Sequence, residues 1–152
     1  MMKDFRVTPI RNGTVIDHID CGQALKVLRI IGITDSVRST VSVLLHVPSK
    51  KDGWKDVIKV EDRELDTKEV DKISLIAPKA TINIIRDFNV AEKFNVKLPD
   101  VAKGIVRCGN PNCITNMDEP VETEFIVESK DPIVLRCLYC DRIQEDVADR
   151  VV

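Results

Sequence analysis

Four cysteines near the end of the chain have the types and spacing best suited to chemistry. They are Cys108 and Cys113 in Cys-Gly-Asn-Pro-Asn-Cys, and Cys137 and Cys140 in Cys-Leu-Tyr-Cys. Two short-spaced pairs separated by a strand-length stretch can set four thiolates at the corners of a tetrahedron. Zinc takes that geometry readily, having no d-electron preference and binding sulfur well. Gly109, Asn110 and Pro111 supply turn chemistry for the first knuckle, and a two-residue gap supplies the second. Four protein ligands close the site and leave no position for a substrate, which marks a structural Zn2+ rather than a catalytic one. A deaminase-type zinc would need a His-x-Glu partner, and neither histidine has one. The alternative is two disulfides or four ordinary buried thiols, and the knuckle spacing favours the metal.

Other polar constellations are sparser. Asp17-His18 closes an extended segment with no nucleophile or second acid beside it, and by itself reads as a solvated or core-satisfied pair. Lys59 falls between Ile58 and Val60 on the opposite face of a strand, where a plain exposed lysine fits equally well. Asn83 sits within an apolar strand, where a buried amide needs partners or a ligand. Lys93 follows in an irregular stretch. Cys21 stands at a helix start and reads as a small packing residue in preference to a reactive thiol. The six glycines are scattered, which excludes Walker-type and Rossmann-type phosphate loops.

The elements that must position these residues follow from periodicity. Phe5, Val7 and Pro9-Ile10 suggest an opening strand, Arg11-Asn12-Gly13 a turn, and Thr14 to His18 a further extended run. A helix is expected from Asp20, with Gln23 completing a capping box, apolar Ala24, Leu25, Leu28 and Ile31, and Gly32 as its stop. Strands follow at 40–47 and 57–60, joined by a loop at 48–53. A second helix opens at Asp66 with Glu69 as capping-box partner, places Val70 and Ile73 on one face, and ends before Pro78. Another strand covers 80–86, residues 87–98 are less regular, and 99–103 reads as a linker. The order strand–helix–strand–strand–helix–strand predicts an α+β, ferredoxin-like (split βαβ) domain over 1–98. Residues 104–152 have room only for short strands at 105–107, 123–127 and 133–136, giving a small all-β zinc-binding domain. A module that small couples its folding to the metal.

Charge divides the chain in the same place. Residues 104–152 carry five Lys/Arg against ten Asp/Glu, a net of -5, while residues 1–103 are net +3. An acidic module with only Phe125 and Tyr139 as aromatics is a poor match for phosphate backbones, which weighs against a free-standing zinc-ribbon that binds nucleic acid. An enzyme would need an open metal position or a nucleophile–base pair, and the sequence offers neither. Met1-Met2-Lys3-Asp4 leads straight into strand pattern, and no apolar run reaches the roughly 20 residues that span a bilayer. Cysteines read as metal ligands, with Cys21 left over, imply a reducing, cytoplasmic compartment.

Four segments occur in an order that carries a resemblance: Gly13-Thr14-Val15-Ile16-Asp17-His18-Ile19, Asp56-Val57-Ile58-Lys59-Val60-Glu61, Ala77-Pro78-Lys79-Ala80-Thr81-Ile82-Asn83, and the Cys-x4-Cys and Cys-x2-Cys pairs. The chain resembles the aspartate carbamoyltransferase regulatory chains from about Val7 to its last cysteine. The resemblance implies a non-catalytic subunit whose first domain binds the effectors CTP, ATP and UTP. It implies that the zinc domain docks on catalytic chains, with regulatory homodimers tying two catalytic trimers into a dodecamer. It further implies that Ile10 presents backbone groups to the base, Asp17 meets the ribose, and Lys59 lies near sugar and base. His18 and Lys93 would meet the triphosphate, while Asn83, Ile85 and Val90 line the pocket. Asn110, Asn112, Asp141 and Arg142 become candidates for the catalytic-chain contact. The sequence departs from the family at Phe88, where a tyrosine is expected, and at Pro9, which has no backbone N–H to donate. A free-standing nucleotide sensor remains the competing reading.

Overall fold

A computed structural model describes residues 9–33, 38–50, 53–118 and 121–152. The expected strand residues Phe5 and Val7 lie outside these, and Pro9-Ile10 form no strand, although Ile10 is buried. The first domain runs β1 (Gly13–Ile19), α1 (Ala24–Ile30), β2 (Val41–Ser49), β3 (Gly53–Glu61), α2 (Thr67–Ser74), β4 (Thr81–Arg86) and β5 (Asn89–Asn95). Its antiparallel sheet has the order β2-β3-β1-β4-β5. The first four strands give the ferredoxin-like order, and β5 extends it by one hairpin.

Alternation fixes which face is covered. Ile16, Ile19, Ile58, Val60, Ile82 and Ile84 point to one side, against Ala24, Val27, Ile30 and Ile31 of the first helical segment and Ile73 of α2. At the start of β1, a Cβ on Gly13 would lie 2.1 Å from the Val60 carbonyl oxygen, so only glycine lets β1 meet β3 there.

Helix α2 begins as expected. Asp66 accepts from the Glu69 backbone N–H at 2.8 Å, and the Glu69 carboxylate accepts from the Asp66 N–H at 3.2 Å. Helix α1 does not. It starts at Ala24 with Gln23 as its N-cap residue, and Gln23 makes no side-chain cap hydrogen bond. The cap arrives from β3, where the Asp56 carboxylate, 1% exposed, accepts from Gly22 N–H (3.0 Å) and Ala24 N–H (3.3 Å). Its other oxygen accepts from His46 N–H at 2.8 Å, at the irregular end of β2. One buried carboxylate therefore ties three segments together. Leu25, expected on the buried face of α1, is 65% exposed, and Val27 and Ile30 take its place. Gly32 ends the helix as expected, at φ 76, with Gly32 N–H donating to Arg29 O and Ile33 N–H to Leu28 O.

Two further strand expectations change. Strand β3 opens at Gly53 instead of residue 57, and β2 continues through Pro48, tolerated because β2 is an edge. Residues 89–95, expected to be irregular, form β5. Every residue of β5 is exposed, so it carries no burial alternation to betray it.

The second domain is a four-stranded antiparallel meander, β6 (Val101–Lys103), β7 (Glu124–Lys130), β8 (Ile133–Cys137) and β9 (Ile143–Gln144), followed by the single turn α3 (Val147–Arg150). Its sheet takes in Val101–Lys103, expected to be part of the linker at 99–103. The expected strand at 105–107 is reduced to one bridge, Val106 to Val151. One core runs through both domains: Leu75, Ile76, Val96 and Leu98 pack into the same cluster as Ala102, Ile105, Val106, Val147 and Val151. Helix α1 reaches across it, with Lys26 Nζ 2.9 Å from Asp149 Oδ1 and Arg29 Nη1 donating to Val151 O at 3.1 Å.

Candidate effector face and metal centre

The face of the first sheet that no helix covers among the described residues gathers most of the residues that the resemblance singles out. Val15 lies opposite Lys59 on β3 and Asn83 on β4, and Asn83 lies opposite Lys93 on β5. Directly opposed residues share a face, so Lys59, Val15, Asn83 and Lys93 form one row across four strands. Three strand spacings separate its two lysines, about 14 Å of backbone distance. Asp17 belongs to the next row with Thr81 and Asn95, and Ile85 and Val90 form the row on the other side. The face thus grades from an apolar end at Ile85 and Val90 to a charged end at Asp17.

Burial pushes the Lys59 ammonium below its ordinary pKa, with the nearby Asp17 carboxylate partly opposing the shift. Asp17 is paired with Lys55 at 2.8 Å, and Asn83 Nδ2 reaches Val15 O at 3.4 Å. Lys55 lies outside the strand expected at 57–60, and only the observed start of β3 at Gly53 places it on the same face as Lys59.

Ile10 is held near the apolar end by backbone stitching. Arg11 O accepts from Phe88 N–H at 2.8 Å, and Asn12 Oδ1 accepts from Asp87 N–H at 3.1 Å. Phe88, at φ 67 in the β4–β5 turn, is 64% exposed. His18 stands apart from the row. A register irregularity after Ile16 leaves it at φ 57, its backbone N–H donating to Asp17 Oδ1 at 2.7 Å. It lines a cavity of about 330 Å³ with Asp20, Cys21, His46, Trp54 and Lys79, where the His46 and Trp54 rings stack 4.2 Å apart. Neither the stack nor Lys79 was legible in the sequence. Cys21 is exposed instead of packed. Desolvation, then the Asp56 and Asp20 carboxylates, push its thiol above the ordinary range, the reverse of activation.

The four zinc-type cysteines come together in the second domain. Their sulfurs all lie within 4.8 Å of one another, with Cys108–Cys140 at 3.7 Å and Cys113–Cys137 at 3.8 Å. A tetrahedral zinc with ~2.3 Å bonds requires sulfur–sulfur distances of roughly 3.8 Å, so the residues fit the metal. Asn116 Nδ2 fixes the first knuckle by donating to Cys108 O (3.0 Å) and Asn110 O (2.7 Å). Donors to sulfur come from Asn110 N–H, Thr115 Oγ1 and Gln144 Nε2. Burial pushes the Cys108 thiol up to about 12 and raises Cys137 as well. For Cys140, burial is outweighed by hydrogen bonds from the Arg142 backbone and the Asn110 side chain, which pull the thiol down to about 7. Such donors support thiolate ligands.

Asn110, Asn112, Asp141 and Arg142 border the knuckles, the last three of them exposed. Asn110 is partly engaged in its own turn, accepting from Asn112 N–H at 3.0 Å, and Asp141 is paired with Arg136 at 2.8 Å. Around them Ile114, Met117, Leu138, Tyr139 and Ile143 are exposed apolar side chains of the same module.

Fold and site define a two-module protein: a ferredoxin-like domain with a cation-bearing sheet face, joined to a β module whose four clustered cysteines could hold a metal ion. Residues 5–97 match the family described as aspartate carbamoyltransferase regulatory chain, allosteric domain, and residues 100–148 match its metal binding domain. The chain is 57% identical to the aspartate carbamoyltransferase regulatory chain of Methanothrix thermoacetophila, over 97% of this chain and 96% of the relative. Identity to the corresponding chain of Thermoplasma acidophilum is 53%, over 93% and 94%, and to that of Methanoculleus marisnigri 55%, over 96% and 93%. The chain belongs to the aspartate carbamoyltransferase regulatory-chain family.

Proposed function

We propose that this chain is the non-catalytic allosteric subunit of an aspartate carbamoyltransferase, binding CTP, ATP and UTP on the open face of its first sheet. The observation that carries the reading is the row Lys59–Val15–Asn83–Lys93, flanked by Asp17 on one side and Ile85 and Val90 on the other. Its chemistry suits a nucleotide. Lysines offer charge to a triphosphate, a carboxylate accepts from ribose hydroxyls, and an amide beside apolar residues suits a base. His18 and Ile10 complete the site, His18 toward the phosphates and Ile10 through its backbone.

The metal is a structural Zn2+, one per chain, held by Cys108, Cys113, Cys137 and Cys140. Four clustered thiols also fit the reducing cytoplasm. The module docks on the catalytic chain through Asn110, Asn112, Asp141 and Arg142 with the apolar side chains around them. A second regulatory chain pairs along the β2 edge, where Leu45 is 54% exposed. Three such dimers joined to two catalytic trimers make the dodecamer. Effectors act by binding its two quaternary states unequally, with coupling on the order of 1–3 kcal/mol. The shared core and the Lys26–Asp149 and Arg29–Val151 contacts supply a physical route between the two modules.

The test mixes the zinc-loaded chain with the catalytic trimer from the same source and follows size by chromatography with light scattering. A dodecamer-sized species that disappears on zinc removal is the expected result. A folded, zinc-loaded chain that forms no complex overturns the subunit reading and leaves a free-standing sensor.

A further inference from the structure

Beside the first knuckle, Arg107, Cys108, Gly109, Pro111, Asn116 and Arg150 line an open cleft of about 390 Å³. Its charge is anomalous for its setting. The module is net -5, and four thiolates around a divalent metal add two more negative charges, yet two of its five cations converge on this cleft.

The two arginines are fixed side by side through their backbones. Val106 bridges Val151, and Arg107 N–H donates to Arg150 O at 2.9 Å. Arg150 is half engaged, its Nε donating to Asp146 Oδ2 at 2.9 Å. Its Nη2 turns toward the knuckle, 3.2 Å from where a Cβ on Gly109 would stand. Arg107 is exposed and has no ion-pair or side-chain hydrogen-bond partner among the described residues. By contrast, Arg136 elsewhere in the module is saturated by Glu128 and Asp141. Asp146 engages Arg150 alone, so the Arg107 guanidinium faces the cleft with its hydrogen-bond donors unmet among the described residues, a demand that a carboxylate satisfies.

We propose that this cleft is an anchor for a carboxylate side chain of the catalytic chain, gripped by the Arg107 guanidinium with Arg150 as second donor. The proposal rests on the assembly reading above and assigns it a residue and a chemistry. A guanidinium fork matches a carboxylate with two parallel hydrogen bonds. A singly charged carboxylate suits the place better than a phosphate, because the tetrathiolate centre and Asp146 repel a multiply charged anion. The cleft is continuous with the first knuckle, so a partner chain seated on Asn110 and Asn112 reaches it without a second interface.

The test uses full-length zinc-loaded Arg107→Ala, Arg107→Lys and Arg107→Glu chains titrated against the catalytic trimer by calorimetry at low and high salt. Arg107→Ala weakens association about tenfold and Arg107→Glu about a hundredfold, while Arg107→Lys recovers part of the loss. Salt dependence becomes shallower in the alanine variant, and zinc content and CTP affinity stay as in the parent. Parental affinity and salt dependence in Arg107→Glu overturn the anchor. So does inorganic phosphate that binds the isolated parent chain through Arg107 without competing with the trimer. Failure of the parent chain itself to associate overturns the assembly reading, and the anchor with it.

Discussion

Replacing Asp56 tests the fold at the point where three segments meet. Its carboxylate accepts from the backbone N–H groups of Gly22, Ala24 and His46, at 3.0, 3.3 and 2.8 Å, while the residue is 1% exposed. Hydrogen bonds to a charged acceptor contribute about 1.5–3 kcal/mol each, and orphaning a buried donor costs about 1–3 kcal/mol. Ala24 is fully buried, whereas Gly22 and His46 are exposed, so water can replace part of what those two lose. Asp56→Ala is therefore expected to destabilise the chain by about 3–5 kcal/mol, a large share of a typical ~5–15 kcal/mol. Asp56→Asn discriminates between shape and charge. Its amide keeps one acceptor but turns an NH2 toward an N–H donor on the other side, so it should recover less than half of the loss. Urea unfolding of the metal-loaded chains at one fixed protein concentration, followed by far-ultraviolet dichroism, measures both midpoints. A shift below about 1 kcal/mol in Asp56→Ala, or parental stability in Asp56→Asn, would refute the claim that this carboxylate caps α1.

Lys93→Ala removes one end of the lysine row and should weaken CTP binding roughly 10- to 100-fold in calorimetry, with zinc content unaltered; unchanged affinity removes Lys93 from the site. Phe88→Tyr, at the exposed β4–β5 turn, should shift the ratio of CTP to ATP affinity by restoring a hydroxyl, and an unmoved ratio excludes that position from the base. With the Cys108 thiol pushed up to about 12 and Cys140 at about 7, zinc must displace protons to bind, so affinity falls with acidification. The fall should be roughly tenfold per pH unit for each thiol that the metal deprotonates, read with a chromophoric chelator, and a pH-independent affinity would contradict thiolate ligation. Hydrogen bonding and attraction from Lys26 hold the Asp149 carboxylate below its ordinary pKa. The ion pair is thus complete above the usual carboxylate range and lost as pH falls through the depressed value. Lys26→Met should remove most of that depression in a nuclear magnetic resonance titration of Asp149, with Arg29 and Arg150 retaining a smaller part, and an unmoved titration would exclude the Lys26 pair as its main cause.

The sequence by itself determined whatever depends on near neighbours. The two knuckles need only a ligand, a tight turn and a second ligand within a few residues, and the structure assembles all four sulfurs. The Asp66–Glu69 box and the Gly32 stop are contacts within one helical turn of chain, and both form as read. Alternation placed Ile58 and Val60 opposite Lys59, and the order of elements gave the ferredoxin-like topology. Only the tertiary structure decided contacts between residues far apart in the chain. Asp56 caps a helix more than thirty positions earlier, a role no local pattern encodes, while the Gln23 side chain expected in the cap makes no such bond. Strand β5 exists through pairing with β4, because an edge strand exposed along its whole length has no apolar period of its own. The lysine row across four strands and the Arg107–Arg150 pair across the module's ends have the same origin. Register, a property of backbones meeting at a distance, brings such side chains together, whereas the sequence specifies only which residues stand ready to be brought.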